Sequence, residues 1–364
     1  AGNDTFQGGL GADSITGNGG VDSIEAGDGN DTVVADETDF LLDGGNNTDL
    51  LKIGANFADV SNGQIINFEN VELTADGLTV SLNDQTENLV ITGFATGAST
   101  IVSGAGHDTI TGGVGSDYIE GANGNDVISG LGGADTLDGG AGNDDITIGT
   151  NTSNTENVNV SVLGGTGDDL IKIELDELTS SDTITGGSDT DTLQFLTVGT
   201  LVDADFTNVT TVEKLILADG TNHLTLSTEA YNGGAGVSTV VGGTGNDTII
   251  TYSNDDQRGS LTLDLSAGGT DTIQLLNDAI GGAGGSSVAA TSVSNEATLN
   301  QTLADWAATN ATVTSRVGTD AITISGFQVG DAGDQIEYMD GTSAVVIGGF
   351  ANNVDLTFNN LASL

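Results

Sequence analysis

The sequence predicts an all-β solenoid in which short parallel strands stack coil upon coil. Two observations predict this fold class. A nonapeptide of the form Gly-Gly-x-Gly-x-Asp-x-aliphatic-x recurs along the chain, and five copies follow one another between residues 103 and 147. Between the blocks of repeats, apolar residues alternate with Thr, Ser or Asp, which is the pattern of half-buried strands.

Each nonapeptide is expected to form one turn and one short strand. The aliphatic residue comes two positions after the Asp, so both side chains point to the same side of a strand. The glycines before the Asp suit a tight turn, because glycine reaches positive φ without steric cost. Two nonapeptides then make one coil, and like units stack every 18 residues. The aliphatic residues line a narrow core, and the Asp residues form a column along each edge.

The repeats fall into two dense blocks and several isolated copies. The chain opens on "AGNDTFQ", a unit without its first two residues, so we expect it to be a fragment of a longer protein. Three further units follow this opening, and the second block covers 103–147. Looser copies lie at 44–52, 164–172, 186–194, 242–250 and 266–274.

The spacers between repeats are predicted to be rich in strands, at 78–82, 89–94, 214–218, 261–265 and 321–327. One short helix is predicted at 295–310, where Leu299, Leu303 and Trp306 fall on one face after a capping Asn295. The composition divides the chain into seven segments. They are a truncated repeat block (1–52), a β-rich spacer (53–102), a repeat block with looser units (103–194), a second spacer (195–241), further repeats (242–275), a linker with the helix (276–310) and a C-terminal β segment (311–364).

The charge balance excludes several classes of partner. The chain has 53 acidic and 5 basic residues and a formal net charge of −48. A phosphate backbone requires clustered Lys and Arg, so nucleic acid is excluded, and anionic membrane surfaces are disfavoured. No stretch approaches the length of an apolar membrane helix, so membrane insertion is not expected. A disordered chain is the alternative that 57 glycines suggest, but the regular spacing of the apolar residues favours a fold.

Columns of carboxylates about 4.8 Å apart repel one another, so a cation is expected between them. Calcium accepts six to eight oxygen ligands in forgiving geometry, whereas magnesium demands a strict octahedron. Zinc prefers His or Cys; the chain has no Cys, and its two histidines, His107 and His223, are expected to be surface residues. We therefore predict multiple Ca²⁺ ions between stacked pairs, namely Asp4 with Asp22, Asp13 with Asp31, Asp108 with Asp126, Asp117 with Asp135, and Asp126 with Asp144.

The predicted metal ligands are the Asp of each repeat and the first glycine carbonyl of several repeats. The carboxylates are those of Asp4, Asp13, Asp22, Asp31, Asp49, Asp108, Asp117, Asp126, Asp135, Asp144, Asp169, Asp191, Asp247 and Asp271. The carbonyls are those of Gly8, Gly17, Gly112, Gly121, Gly130, Gly139, Gly164 and Gly242. No catalytic motif such as Gly-x-Ser-x-Gly, His-Glu-x-x-His or a P-loop is present, so no enzymatic activity is expected.

The tandem nonapeptides resemble those of the RTX (repeats-in-toxin) family of calcium-binding proteins. This resemblance implies a right-handed parallel β-roll or β-helix with calcium in its turns, and secretion by a type I system through a C-terminal signal. The alternation of repeats with β-rich spacers resembles Gram-negative surface-layer proteins more than toxins or proteases.

The expected function is therefore structural, as a secreted surface-layer protein that folds and self-assembles with calcium on the cell exterior. Its expected partners are other copies of itself, in a lattice or homo-oligomer, and a cell-surface polysaccharide. Two alternatives remain open at this point. One is the carrier module of a secreted enzyme or toxin, and the other is a calcium-dependent adhesin.

Overall fold

A computed structural model gives the fold of the chain. It describes residues 2–35, 38–59, 63–149, 158–226, 236–253, 261–264, 267, 272–277, 289–293, 321–327, 335–339, 344–347 and 354–359. The chain forms two compact units, one of residues 1–173 with 181–191 and the other of residues 174–180 with 192–364.

The first unit consists of short strands. They are β1 (Thr5–Leu10), β2 (Ser14–Thr16), β3 (Ser23–Asp28), β4 (Thr32–Ala35), β5 (Leu41–Asn46), β6 (Leu50–Ile53), β7 (Phe57–Ala58), β8 (Ile65–Ile66), β9 (Asn70–Leu73), β10 (Leu78–Ser81), β11 (Val90–Thr92), β12 (Ser99–Val102), β13 (Thr109–Gly113), β14 (Tyr118–Glu120), β15 (Val127–Leu131), β16 (Thr136–Ala141), β17 (Asp145–Thr147), β18 (Ser161–Thr166), β19 (Leu170–Ile173) and β20 (Thr183–Ser188).

These strands form three parallel ladders in which each strand pairs with the strand one coil away. The first ladder runs β1-β3-β5-β8, the second runs β2-β4-β6-β9-β11-β13-β15-β17-β19, and the third runs β7-β10-β12-β14-β16-β18-β20. Within the repeat blocks, residues 18 apart are in register, as Ile110 with Ile128 and Ile119 with Leu137 show. The predicted stacking period is therefore observed.

The core consists of aliphatic columns along these ladders. Ile110, Ile128 and Ile146 follow one another in register, and each is fully buried. Each nonapeptide contributes one such residue because its strand is short and turns only one apolar side chain inward. At roughly 1.5–3 kcal/mol for a buried Ile or Leu side chain, these columns are the main apolar contribution to stability.

The spacer after the first block continues the same ladders. Val71 of β9 and Ile91 of β11 lie in register between Leu51 of β6 and Ile110 of β13, and all four are buried. The spacer is thus a set of coils with longer turns, because it keeps the inward aliphatic position while replacing the glycine-rich turn. The division of the chain into seven segments, which was proposed from composition, stays a prediction.

The second unit contains two 3₁₀ helices, Leu175–Glu177 and Asp203–Phe206. Its strands are β21 (Thr192–Phe195), β22 (Thr200–Leu201), β23 (Val209–Thr210), β24 (Lys214–Ile216), β25 (His223–Leu226), β26 (Thr239–Val241), β27 (Thr248–Ser253), β28 (Leu261–Asp264), β29 (Thr272–Asn277), β30 (Ala289–Val293), β31 (Ala321–Phe327), β32 (Gln335–Met339), β33 (Ala344–Ile347) and β34 (Val354–Asn359).

Parallel ladders again dominate the second unit. One runs β21-β24-β26-β28-β31-β34 and the other runs β22-β25-β27-β29-β32-β30. The pairing changes at the C-terminal strands, where β34 pairs antiparallel with β31, and β30 and β33 pair antiparallel with β32.

The predicted fold class is confirmed as an all-β parallel solenoid, and the described residues contain almost no helix. Each strand predicted in the spacers overlaps an observed one, namely β10, β11, β24, β28 and β31. The predicted helix at 295–310 lies outside the described residues. Among those that are described, no helix is long and apolar enough to cross a membrane.

Candidate metal centre

Most turns of the repeat blocks share one backbone conformation. The second and fourth residues of the turn at 139–144, Gly140 and Gly142, have φ of 101° and 134°. Ala122 and Leu131 occupy the second position of neighbouring repeats and also have positive φ, 68° and 69°. A non-glycine residue adopts this region at a cost of roughly 1–2 kcal/mol. The stacked turns therefore hold the conformation even where the sequence departs from glycine.

This conformation directs each Asp side chain toward the preceding coil. Its Oδ1 accepts a hydrogen bond from the backbone N–H of the Asp 18 residues earlier. The N–H···Oδ1 pairs are Asp4 to Asp22 (2.8 Å), Asp13 to Asp31 (2.7 Å), Asp31 to Asp49 (2.7 Å), Asp108 to Asp126 (2.7 Å), Asp117 to Asp135 (2.9 Å) and Asp126 to Asp144 (2.7 Å). The pairs that the sequence placed side by side are thus joined directly through one carboxylate oxygen.

The ladder of carboxylates extends beyond the dense repeats. The N–H of Asp144 donates to Asp169 Oδ1 at 2.8 Å, and that of Asp169 donates to Asp191 Oδ1 at 3.0 Å. Glu69 of the spacer also belongs to it, because its Oε2 accepts from the N–H of Asp49 at 2.8 Å. Sequence reasoning missed Glu69, although it precedes the buried Val71 by two positions, as each repeat Asp precedes its aliphatic residue.

The second carboxylate oxygen has no protein partner along most of this ladder. The atoms that are buried without a hydrogen bond are Oδ2 of Asp13, Asp22, Asp31, Asp49, Asp108, Asp126, Asp144 and Asp169. Burying an ionised carboxylate is costly unless a partner compensates the charge. Within the described part of the chain only two ion pairs occur, Lys52 with Glu72 and Lys172 with Asp145, and neither involves these oxygens.

A backbone carbonyl oxygen converges on the same place as Oδ2. A Cβ on Gly121 would lie 2.5 Å from Asp126 Oδ2 and 2.6 Å from the carbonyl oxygen of Gly139. A Cβ on Gly139 would likewise meet Asp144 Oδ2 and the Gly164 carbonyl oxygen, each at 2.5 Å. Only a residue without a side chain leaves this space open between two oxygen atoms. Carboxylate and carbonyl oxygens are the donor set of calcium, so these residues fit the ion that the sequence predicts.

Burial raises the pKa of five carboxyl groups in these turns. Desolvation is the largest cause for Asp126, Asp135 and Asp169, and neighbouring carboxylates add to it, so their pKa values rise from 3.8 to about 7. The pKa values of Asp49 and Asp144 are raised for the same first reason. Without a cation, burial in the folded protein thus favours the protonated form of these carboxyl groups.

The other predicted ligands are placed as follows. Asp22, Asp31, Asp49, Asp108, Asp117, Asp126, Asp135, Asp144, Asp169, Asp191 and Asp247 are all buried, whereas Asp4 is exposed and Asp13 is partly exposed. Asp271 lies outside the described residues. The role of each as a metal ligand stays a prediction.

The first glycines of the repeats differ in their contacts. The Cα atoms of Gly8 and Gly17 face Oδ2 of Asp13 and Asp22. Gly112 and Gly130 likewise face Oδ2 of Asp117 and Asp135. The Gly121 carbonyl accepts a hydrogen bond from Ser103 Oγ at 2.6 Å, and the N–H of Gly242 donates to the Asp264 carbonyl at 2.9 Å.

No group of three or more His, Asp or Glu side chains gathers around one point in the described residues. His107 is exposed, and its Nδ1 accepts from the N–H of Asn125 at 2.6 Å, so it serves the turn.

The fold and these turns define a class of protein, the parallel β-solenoid with carboxylate-lined calcium-binding turns. The chain matches the family model described as RTX calcium-binding nonapeptide repeat (4 copies) over residues 1–33, 95–128, 120–150, 179–194 and 232–257, which together are less than half of its length. The chain therefore carries RTX repeats, and such repeats bind calcium in multiple copies. Neither a curated protein nor a solved structure matches the chain.

Proposed function

We propose that this protein is a calcium-dependent structural component of an extracellular surface layer. The observation that carries the proposal is the ladder of buried carboxylates whose Oδ2 atoms have no protein partner. A structure of this kind is stable only when cations neutralise it, so the binding free energy of calcium becomes folding free energy.

The two carboxylate oxygens of each ladder Asp have different roles. Oδ1 of each ladder Asp fixes the register of two coils through its hydrogen bond to the preceding backbone, as between Asp126 and Asp108. Oδ2 and the glycine carbonyl of the next coil remain available, and a bound calcium ion would supply the positive charge there. A net charge of −48 keeps the chain expanded where calcium is scarce. This suits export through a channel before folding at extracellular calcium concentrations.

Self-assembly requires a surface on which two strongly acidic copies can meet. The outer face of β11, β13 and β15 provides one, which we call the neutral strip. It carries no carboxylate and consists of Val90, Thr92, Thr109, Thr111, Val127 and Ser129, in register across the three strands. Val90 and Val127 are each 46% exposed.

The ion pairs of the chain support this choice of surface. Lys52 pairs with Glu72 at 3.0 Å on one side of the neutral strip, and Lys172 pairs with Asp145 at 2.6 Å on the other. The acids that border the strip are thereby compensated locally. We propose that a second copy of the chain packs on the strip, because like-charge repulsion is lowest there.

Calcium-driven folding is tested by circular dichroism during a calcium titration of the chelated protein. The proposal predicts that the β signal appears with calcium and that magnesium at the same concentration does not replace it. A full β signal in chelator would contradict calcium-driven folding.

Assembly is tested by electron microscopy and light scattering of the calcium-loaded protein. Val127→Asp should bind calcium and fold as the wild type does, but it should assemble less because it adds a carboxylate to the neutral strip. Thr136→Asp, an exposed residue of β16 on another ladder, is the matched control and should assemble normally. Equal assembly of both variants would refute the strip, and a monomeric calcium-loaded wild type would refute the lattice.

A further inference from the structure

The turn at 112–117 differs in backbone conformation from most turns that fit calcium. Its second and fourth residues, Gly113 and Gly115, do not have positive φ, unlike Gly140 and Gly142 of the turn at 139–144. The physical reason lies beneath it. A Cβ on Gly113 would collide with the carbonyl oxygen of Phe94, so the turn stacks on a turn of the spacer rather than on another nonapeptide.

This backbone brings extra donors to the Asp117 carboxylate. Oδ1 accepts from the N–H of Ser99 at 2.6 Å, and Oδ2 accepts from the N–H of Gly113 at 2.7 Å. The Ser99 hydroxyl also hydrogen-bonds the carboxylate. Both oxygens of this buried group are therefore satisfied by the protein itself, whereas Oδ2 of Asp126 has no partner.

Stacking on a spacer turn alone does not produce this result. The turn at 103–108 also lies on a spacer turn, because a Cβ on Gly104 would meet the carbonyl oxygen of Gln85. Its Asp108 nevertheless keeps an unpartnered Oδ2. The hydrogen bond that Asp117 accepts from Gly113, four residues before it, is thus the feature that distinguishes Asp117 from Asp108.

We infer that Asp117 is not a calcium ligand but a metal-independent link that joins the repeat block to the spacer beneath it. This differs from the sequence prediction, which placed an ion between Asp117 and Asp135. The two residues are instead connected by the hydrogen bond from the N–H of Asp117 to Asp135 Oδ1. A cation at Asp117 would have to share Oδ2 with the Gly113 N–H, which already compensates part of the carboxylate charge.

The inference rests on the proposed calcium-dependent folding. Counting the bound calcium ions distinguishes a failure of the inference from a failure of the proposed function. Equilibrium dialysis followed by elemental analysis gives the number of calcium ions in the wild type, Asp117→Asn and Asp126→Asn. Asp126→Asn should bind one ion fewer than the wild type. Asp117→Asn should bind the wild-type number but melt a few degrees lower in saturating calcium, since its amide opposes the Gly113 N–H. Loss of an ion from Asp117→Asn would overturn the inference, whereas a wild type without calcium would overturn the proposed function.

A second measurement needs no variant and applies even if Asp117→Asn does not fold. In the calcium-saturated wild type, the amide of Gly113 should be protected from hydrogen exchange, because Oδ2 of Asp117 remains its acceptor. If calcium displaced this N–H from Oδ2, the amide would lose its partner and exchange quickly. Rapid exchange of the Gly113 amide in calcium would therefore also refute the inference.

Discussion

Lowering the pH of the calcium-free protein from about 8 to about 5 should increase its folded fraction. The cause is the ladder of buried carboxyl groups, among which Asp126, Asp135 and Asp169 have pKa values raised to about 7. Protonation removes the buried charge that calcium would otherwise neutralise. The expected direction is opposite to that of a protein whose carboxylates are stabilised by cationic partners.

The sign and size of this change in stability follow from the pKa of each carboxyl group in the folded and in the unfolded protein. The folded value of about 7 lies above the ordinary 3.8, so the contribution to stability is fully present below pH 3.8 and is lost as the pH rises through 7. Between pH 5 and 8 the difference reaches at most roughly 2.6 kcal/mol for each group. Because the turns border solvent and screening lowers this maximum, we expect about 1–2 kcal/mol for each of the three carboxyls.

The assay is far-UV circular dichroism with urea unfolding of protein from which calcium has been removed by dialysis. The β signal and the urea midpoint should both rise as the pH falls toward 5. A variant with Asn in place of Asp126, Asp135 and Asp169 is the control, and its stability should depend much less on pH. A calcium-free protein whose stability is flat or falls over this range would refute the reasoning.

Two further predictions concern the turns and the core. Gly121→Ala should weaken calcium binding and cost about 1–3 kcal/mol, because its Cβ would lie 2.5 Å from Asp126 Oδ2; isothermal titration calorimetry measures the first effect. Gly2→Ala is its control, since the nearest atom to that Cβ is 4.0 Å away, and equal affinities for the two variants would contradict the placement of the site. Ile128→Ala should cost about 2–5 kcal/mol in urea unfolding at saturating calcium, because Ile128 is fully buried in its aliphatic column. Val127→Ala on the exposed face should change stability by less than about 0.5 kcal/mol, and similar losses at both positions would contradict the assigned strand orientation.

Much of the solenoid could be predicted because the spacing of the Asp and aliphatic residues in the sequence equals the stacking period of the coils. The 18-residue register of Ile110 with Ile128 follows from the nonapeptide length and from the parity of Asp and aliphatic positions. The same parity placed Asp108 next to Asp126. These features depend on local spacing alone, so they need no knowledge of neighbouring coils.

Other features of the site depend on what lies one coil away. Glu69 enters the ladder although its segment has no glycine-rich turn, because it precedes the inward Val71 by two residues. Asp117 has the same motif as Asp126, yet its Oδ2 accepts a hydrogen bond from the N–H of Gly113, whose turn lies on a spacer turn. Ala122 and Leu131 adopt positive φ because stacking imposes it. The sequence of a nonapeptide does not specify which turn it stacks on. Whether each turn fits calcium could therefore be judged only from the structure.

The most direct test of the account is a crystal structure of the calcium-loaded protein with anomalous difference density for calcium. The account predicts peaks beside Oδ2 of Asp126, Asp144 and Asp169, close to the glycine carbonyl of the following coil, and none beside Oδ2 of Asp117. Absence of calcium from these buried oxygens in a folded, calcium-saturated protein would contradict the claim that the ion completes the ladder.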